Sequence, residues 1–111
     1  MTERILKASG IPYRVSRYPN PPKETYAVYF DDQDTSGSDP FPGAPKVITH
    51  NVTVELYEPK QDPATEAAIE AQLEAEGLDW TKQSRYWLQN VQRYQVIYEF
   101  TYKVKGGNKN G

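Results

Sequence analysis

Apolar and polar positions alternate strictly along residues 93–104. Tyr94, Val96, Tyr98, Phe100, Tyr102 and Val104 are separated by mostly polar residues. Side chains of an extended chain point to opposite faces in turn, so this stretch predicts a strand with one apolar and one polar face. The same period runs through residues 46–58. Ile48, His50, Val52, Val54 and Leu56 share one face, Thr49, Asn51, Thr53, Glu55 and Tyr57 the other, and Pro59 closes the run. A third strand is predicted over residues 25–32, with Tyr26, Val28 and Phe30 opposite Ala27 and Tyr29. A fourth is predicted over residues 78–89, with Tyr86 and Leu88 opposite Trp87, and a turn at residues 90–93 joins it to the last strand. Weak alternation of Tyr13, Val15 and Arg17 allows an extra edge strand, which the prolines at 19, 21 and 22 end.

Residues 62–77 change period. Asp62 is placed to cap a helix, Pro63 to occupy its first position and Gly77 to follow its last turn. Ile69 and Leu73, four apart, form the inward pair. Glu66, Glu70 and Glu74 also recur every four residues, so they form one acidic ridge. Residues 2–9 predict a short first helix with Ile5 and Leu6 inward and Gly10 as its stop. Residues 31–46 are rich in Asp, Ser, Gly and Pro without period and read as a long loop, with Phe41 as its one large apolar residue. Residues 105–111 read as a flexible tail.

These elements describe a single α+β domain over residues 1–104. Its sheet is mainly antiparallel and four-stranded, with a possible extra edge strand. The short N-terminal helix and the longer helix pack on one face. Strands of a dozen residues exceed what one such helix covers. The middle of the last strand is therefore core, and its far end, at Tyr102 and Val104, runs past the helix to meet something else.

Composition sharpens this picture. The chain of 111 residues is 37% hydrophobic and 13% aromatic, with a mean hydropathy of −0.83. Few aliphatics and many tyrosines suit a surface that is partly wet and partly docked. Net charge is only −2, but it is segregated. Residues 1–24 carry five basic and two acidic side chains, residues 25–79 carry two and twelve, and residues 80–111 carry six and one. Opposite poles on one subunit suit head-to-tail self-association. No apolar run approaches the roughly 20 residues that cross a bilayer, and the N-terminus has no signal-peptide layout.

The residues offer little chemistry. With no cysteine and only His50 among histidines, a nitrogen or sulfur metal site has no ligand set. His50 lies on an apolar strand face and reads as a packed or interface residue. Asp31, Asp32, Asp34 and Asp39 are not spaced as a Ca²⁺ loop. The serines lie in no nucleophile motif and the glycines in no phosphate loop. The expectation is a protein that is not an enzyme and has no cofactor. Tyr94, Tyr98 and Tyr102 near Arg85, Arg93 and Lys103 raise a single-stranded nucleic-acid platform as an alternative. A pI near 5.4 speaks against it.

The stretches "YAVYF", "ITHNVTVELYEP", "DPATEAAIEAQLEAEG" and "RYWLQNVQRYQVIYEF", in that order, resemble the small tail-completion proteins of long-tailed bacteriophages and prophages. That group includes tail terminators and head–tail joining (neck) components. The resemblance spans roughly residues 11–104 and implies a structural role, in which copies form a ring, usually hexameric. The ring caps the tail tube or joins it to the connector, in a virion assembled in the bacterial cytoplasm. The partners implied are the chain itself and tail-tube or neck proteins, with no membrane and no sequence-specific nucleic acid. The candidate interface residues are Asp31, Asp32, Phe41, Glu66, Glu70, Glu74, Arg85, Trp87, Arg93 and Tyr102. The acidic ones are expected near Arg14, Arg17, Arg85 or Arg93 of the adjacent copy. A monomeric adaptor that binds a peptide or small ligand at its sheet edge is the alternative from a different class.

Overall fold

The computed structural model describes residues 1–36 and 46–106. In chain order the elements are α1 (Thr2–Ala8), β1 (Tyr13–Val15), β2 (Tyr26–Ser36), β3 (Lys46–Glu58), α2 (Pro63–Ala75), β4 (Trp80–Lys82), β5 (Tyr86–Leu88) and β6 (Arg93–Gly106). The strands form one six-stranded sheet in the order β1-β2-β3-β6-β4, and β5 also pairs with β6. The β1–β2 pair is parallel, and every other pair among the described residues is antiparallel.

The α+β class is as expected, but the four-stranded sheet becomes a mixed sheet of six. Two expectations are corrected. The strand expected over residues 78–89 is two strands, because the chain leaves the ladder of β6 after Gln83, whose N–H still reaches the Ile97 carbonyl at 2.9 Å. Arg85 then turns toward buried carboxylates, and pairing resumes at Tyr86↔Gln95. Residues 31–36, expected as the start of a long loop, are strand, and the rest of that expected loop up to residue 45 lies outside the described residues. Asp31–Ser36 pair in register with Val47–Val52, as Asp31↔Val52 through Ser36↔Val47. Their composition is that of a loop, yet β3 and β6 supply an alternating partner surface, and tertiary pairing outweighs weak local preference.

Both helices pack on the sheet face formed by Ala27 and Tyr29, by Val52, Val54 and Leu56, and by Val96, Tyr98 and Phe100. Ile5, Leu6, Ile69 and Leu73 complete this core, each no more than 1% exposed. The Asp62 carboxylate starts α2 by accepting from the Thr65 N–H at 3.2 Å and the Thr65 hydroxyl at 2.7 Å. It also accepts from the Thr25 hydroxyl at 2.7 Å, which ties the helix start to the start of β2. Gly77, at φ +69°, turns the chain out of the helix. On the opposite face, Tyr26 stacks on Tyr57 at 5.1 Å and meets Tyr18 edge-on at 5.2 Å. Arg93 holds the proline-rich segment against this end through the carbonyls of Pro22 and Lys23.

Lengths decide what stays uncovered. The 13 residues of α2 span about 20 Å, whereas the 14 of β6 span about 46 Å. The molecule is accordingly elongated, 53 × 28 × 23 Å. Beyond the core, β2, β3 and β6 continue together as a three-stranded arm.

Candidate oligomer interface

The acidic ridge of α2 is satisfied within the chain. Glu66 is 3% exposed. It accepts from Lys82 Nζ at 2.9 Å and from Arg85 Nη2 at 2.6 Å. Glu70 accepts from Lys82 Nζ and from the Tyr98 hydroxyl, both at 2.7 Å. Glu74 accepts from Trp80 Nε1 at 2.6 Å. Arg85 also reaches Glu58 at 3.3 Å. The cations that the ridge needs are thus Lys82 and Arg85 of the same chain, and these contacts do not call for an arginine of an adjacent copy.

Glu58 is the residue that sequence reasoning missed. It ends β3 with its side chain fully buried, and its Oε2 has no N–H or O–H donor of another residue. Burial, then the hydrogen bond and charge of Glu66, push its carboxyl up to about 7. For Glu66, burial opposes ionisation, but hydrogen bonds from Glu58, Arg85 and Lys82 outweigh it and hold its carboxyl down at about 2. Of this pair, Glu58 is the member that holds a proton more readily and Glu66 the one that stays ionised. The signal available in the sequence was positional: Glu58 falls on the even, apolar face of its strand. Tyr98, fully buried beneath α2, has its hydroxyl pushed well above the usual range by burial and then by Glu70. With Tyr98 covered, the three-tyrosine platform for nucleic acid does not form.

At the root of the arm, His50 Nδ1 lies 3.0 Å from both oxygens of Asp31. Its ring stacks on Tyr102 at 4.4 Å with 2° between the planes, and Tyr102 contacts Phe100 in turn. Asp31 and Tyr102 are thus brought together as a brace. Further out the side chains are solvated. Asp32, Gln33, Asp34 and Thr35 on β2 and Lys103, Val104 and Lys105 on β6 are all exposed. A polar ladder crosses one face of the arm, with Asn51 donating to Asp34 at 3.0 Å and accepting from Thr101 at 3.2 Å. Among the described residues, β1 pairs with β2 only as far as Tyr29, and β4 pairs with β6 only as far as Phe100. Both outer edges of the arm lie beyond these contacts.

Arg93 and Trp87 sit at the other end of the molecule. Trp87 is 40% exposed and meets Tyr94 edge-on at 4.9 Å, with Tyr86 and Val91 exposed beside it. Phe41 lies outside the described residues. No group of three or more His, Asp or Glu side chains among the described residues is arranged to hold a metal ion. No helix among them is long and apolar enough to cross a membrane.

This architecture has solved counterparts. The fold is shared with a virion chain. It superimposes on a chain of the structure "Virion of native gene transfer agent (GTA) particle" with a TM-score of 0.59 and 15% identity, over 92% of this chain and 84% of that one. A second solved chain, which carries no functional name, matches at a TM-score of 0.55 and 12% identity, over 98% of this chain and 90% of its own. No protein-family model matches the sequence, and no curated protein matches it.

Proposed function

We propose that this chain is a structural protein of a phage or phage-like particle, and that it forms a ring, hexameric by resemblance, at the end of the tail tube or at the head–tail junction. It is not an enzyme in this reading and uses no cofactor; its partners are its own copies and tail-tube or neck proteins. The observation that carries the reading is a three-stranded arm, uncovered among the described residues, on a fold that also occurs in a gene transfer agent virion. A protein acting alone gains nothing from strands that run on without cover, whereas a ring subunit needs surface set aside for neighbours. The exposed aromatic cluster around Trp87, at the start of β6 and so at the opposite end from the arm, gives a further surface for a different contact.

The test is location. An epitope-tagged copy is expressed in the strain that carries the gene, particles are purified, and the tag is located by gold labelling. Label at the tail end or neck, and unjoined heads and tails when the gene is deleted, are the expected results. Purified particles that lack the chain and assemble normally without it overturn the reading and leave the edge-binding adaptor in its place.

A further inference from the structure

Among the described residues, the arm ends in two open edges of similar length: β2 beyond Tyr29 and β6 beyond Phe100. These edges carry opposite charge on the same face. Asp34 stands opposite Thr49, which stands opposite Lys103, and Asp32 stands opposite Asn51, which stands opposite Thr101. Directly opposed residues in an antiparallel pair share a face. Asp32 and Asp34 on one edge therefore project to the same side as Lys103 and Lys105 on the other.

We propose that copies of this chain join by strand addition, the outer edge of β6 of one copy pairing with the outer edge of β2 of the next, so that the arms become one continuous sheet around a closed assembly. This deepens the ring reading above and rests on it for its biological setting.

The occupant of the edge follows from charge and symmetry. A two-fold contact would set β2 against β2, with Asp32 and Asp34 facing their own copies, or β6 against β6, with lysines facing lysines. Like charges directly opposed across strands are unfavourable. A head-to-tail contact sets Lys103 and Lys105 beside Asp32 and Asp34 on a shared face, and such a contact closes by rotation. Strand direction is fixed by the same argument. Both β2 and β6 run antiparallel to β3, hence parallel to each other. Rotation about a ring axis preserves direction, so β6 meets the next β2 in parallel, as β1 already meets β2 within the chain. The register follows from the charges: Lys103 lies beside Asp34 with no stagger, and beside Asp32 with a stagger of two residues, the kind of offset that closing a sheet requires. Edge lysines also discourage indiscriminate pairing, which leaves the acidic edge as the matching partner.

The chain has no cysteine, so introduced thiols report the contact directly. In the variant with Asp34→Cys and Lys103→Cys, the two positions of one chain are separated by β3, about 10 Å apart. That exceeds the roughly 7 Å between Cα atoms that a disulfide tolerates. Every bond formed is therefore between copies. Mild oxidation is expected to yield a ladder of covalent dimers, trimers and higher multimers from the double variant, or from its counterpart with Asp32→Cys and Lys103→Cys if the sheet is staggered. Each single variant is expected to stay monomeric on a non-reducing gel. A second set uses charge: Asp32→Lys with Asp34→Lys, or Lys103→Glu with Lys105→Glu, abolishes oligomers in sedimentation, and the fourfold exchange restores them. Dimers from a single-cysteine variant, or no ladder from either double variant at concentrations where the parent sediments as an oligomer, overturn the proposal. A parent that is monomeric at every concentration, with no ladder from either double variant, overturns it as well. Particle location is read separately: a ladder from a chain absent from particles keeps the strand pairing and removes its proposed setting.

Discussion

The same three strands live in two environments. Under the helices, Val52, Val54, Leu56, Val96 and Tyr98 are at most 2% exposed. A few residues further along, the same alternation continues through Ile48 and Val104 with no helix above it among the described residues, and Val104 is 43% exposed. Period fixes which face each side chain takes; cover decides whether that face is worth free energy. Each large apolar side chain fully buried contributes about 1.5–3 kcal/mol, so stability is concentrated in the covered half. The arm is held by its ladder, the brace at His50 and a row of polar side chains, which leaves it free to serve as a contact surface.

The largest expected effect separates the two halves outright. Ile69→Asp places a carboxylate in the covered half without a partner and costs several kcal/mol, comparable to the stability of a domain this size. A circular dichroism melt should show no cooperative transition. Val104→Asp, the same chemistry on the bare half, should shift stability by no more than about 0.5 kcal/mol. Equal losses for the two variants would erase the distinction.

Arg85→Ala comes next. It removes the guanidinium from Glu58 and Glu66, both buried. Breaking a buried pair from one side costs about 3 kcal/mol, to be read as a lower urea midpoint at pH 7. A loss under about 0.5 kcal/mol would show that Lys82 alone neutralises the cluster.

The same cluster makes the covered half sensitive to pH. Glu58 rises from 4.5 to about 7 on folding. The folded chain therefore keeps a proton that the unfolded chain releases between those values. Stability from this group is complete below about pH 4.5 and is lost as pH rises toward 7. Glu66, held at about 2, acts oppositely and loses its contribution as pH falls from 4.5. Urea titrations should show stability falling by on the order of 2 kcal/mol between pH 5 and 8. Glu58→Gln, which imitates the protonated acid, should flatten that slope while preserving the fold. A slope unchanged by the substitution would assign it to another group.

Much of this was legible in the sequence, for physical reasons. Asp62, Pro63 and Gly77 bound α2 because caps are local chemistry. The faces of β3 and β6 follow from alternation alone, and so does the exposure of Val104; Tyr102, expected beyond the helix as well, instead packs against the core beside Thr2 of α1. What was not legible depends on distant partners. Asp31–Ser36 look like loop until β3 pairs with them. The break at residues 83–85 exists because Arg85 finds Glu58 and Glu66, 27 and 19 residues away in the chain. Spacing showed the glutamate ridge but not that Lys82 and Arg85 come from the next strands to lie against it. The opposed charges of the arm edges were visible as residues, but they became a pattern only once register placed Asp34, Thr49 and Lys103 in one row.

The smallest effect is expected where the two halves join. His50 stacks on Tyr102 and donates to Asp31, so it links all three strands of the arm at its root. An aromatic contact of this kind adds about 0.5–1.5 kcal/mol beyond buried area. His50→Ala should therefore lower global stability by about 1 kcal/mol, too little to threaten the fold. Its effect should be local: amides at residues 31–34 and 101–104 should exchange with solvent several-fold faster, while those of Val54 and Tyr98 follow only the global change. His50→Phe separates the two contacts, since it keeps a ring on Tyr102 and loses the bond to Asp31. If stacking is the brace, His50→Phe exchanges like the parent along the arm; if the carboxylate bond is, it exchanges like His50→Ala. Uniform acceleration across both halves in His50→Ala would mean that arm and core open as one unit, and that the boundary drawn at His50 has no energetic meaning.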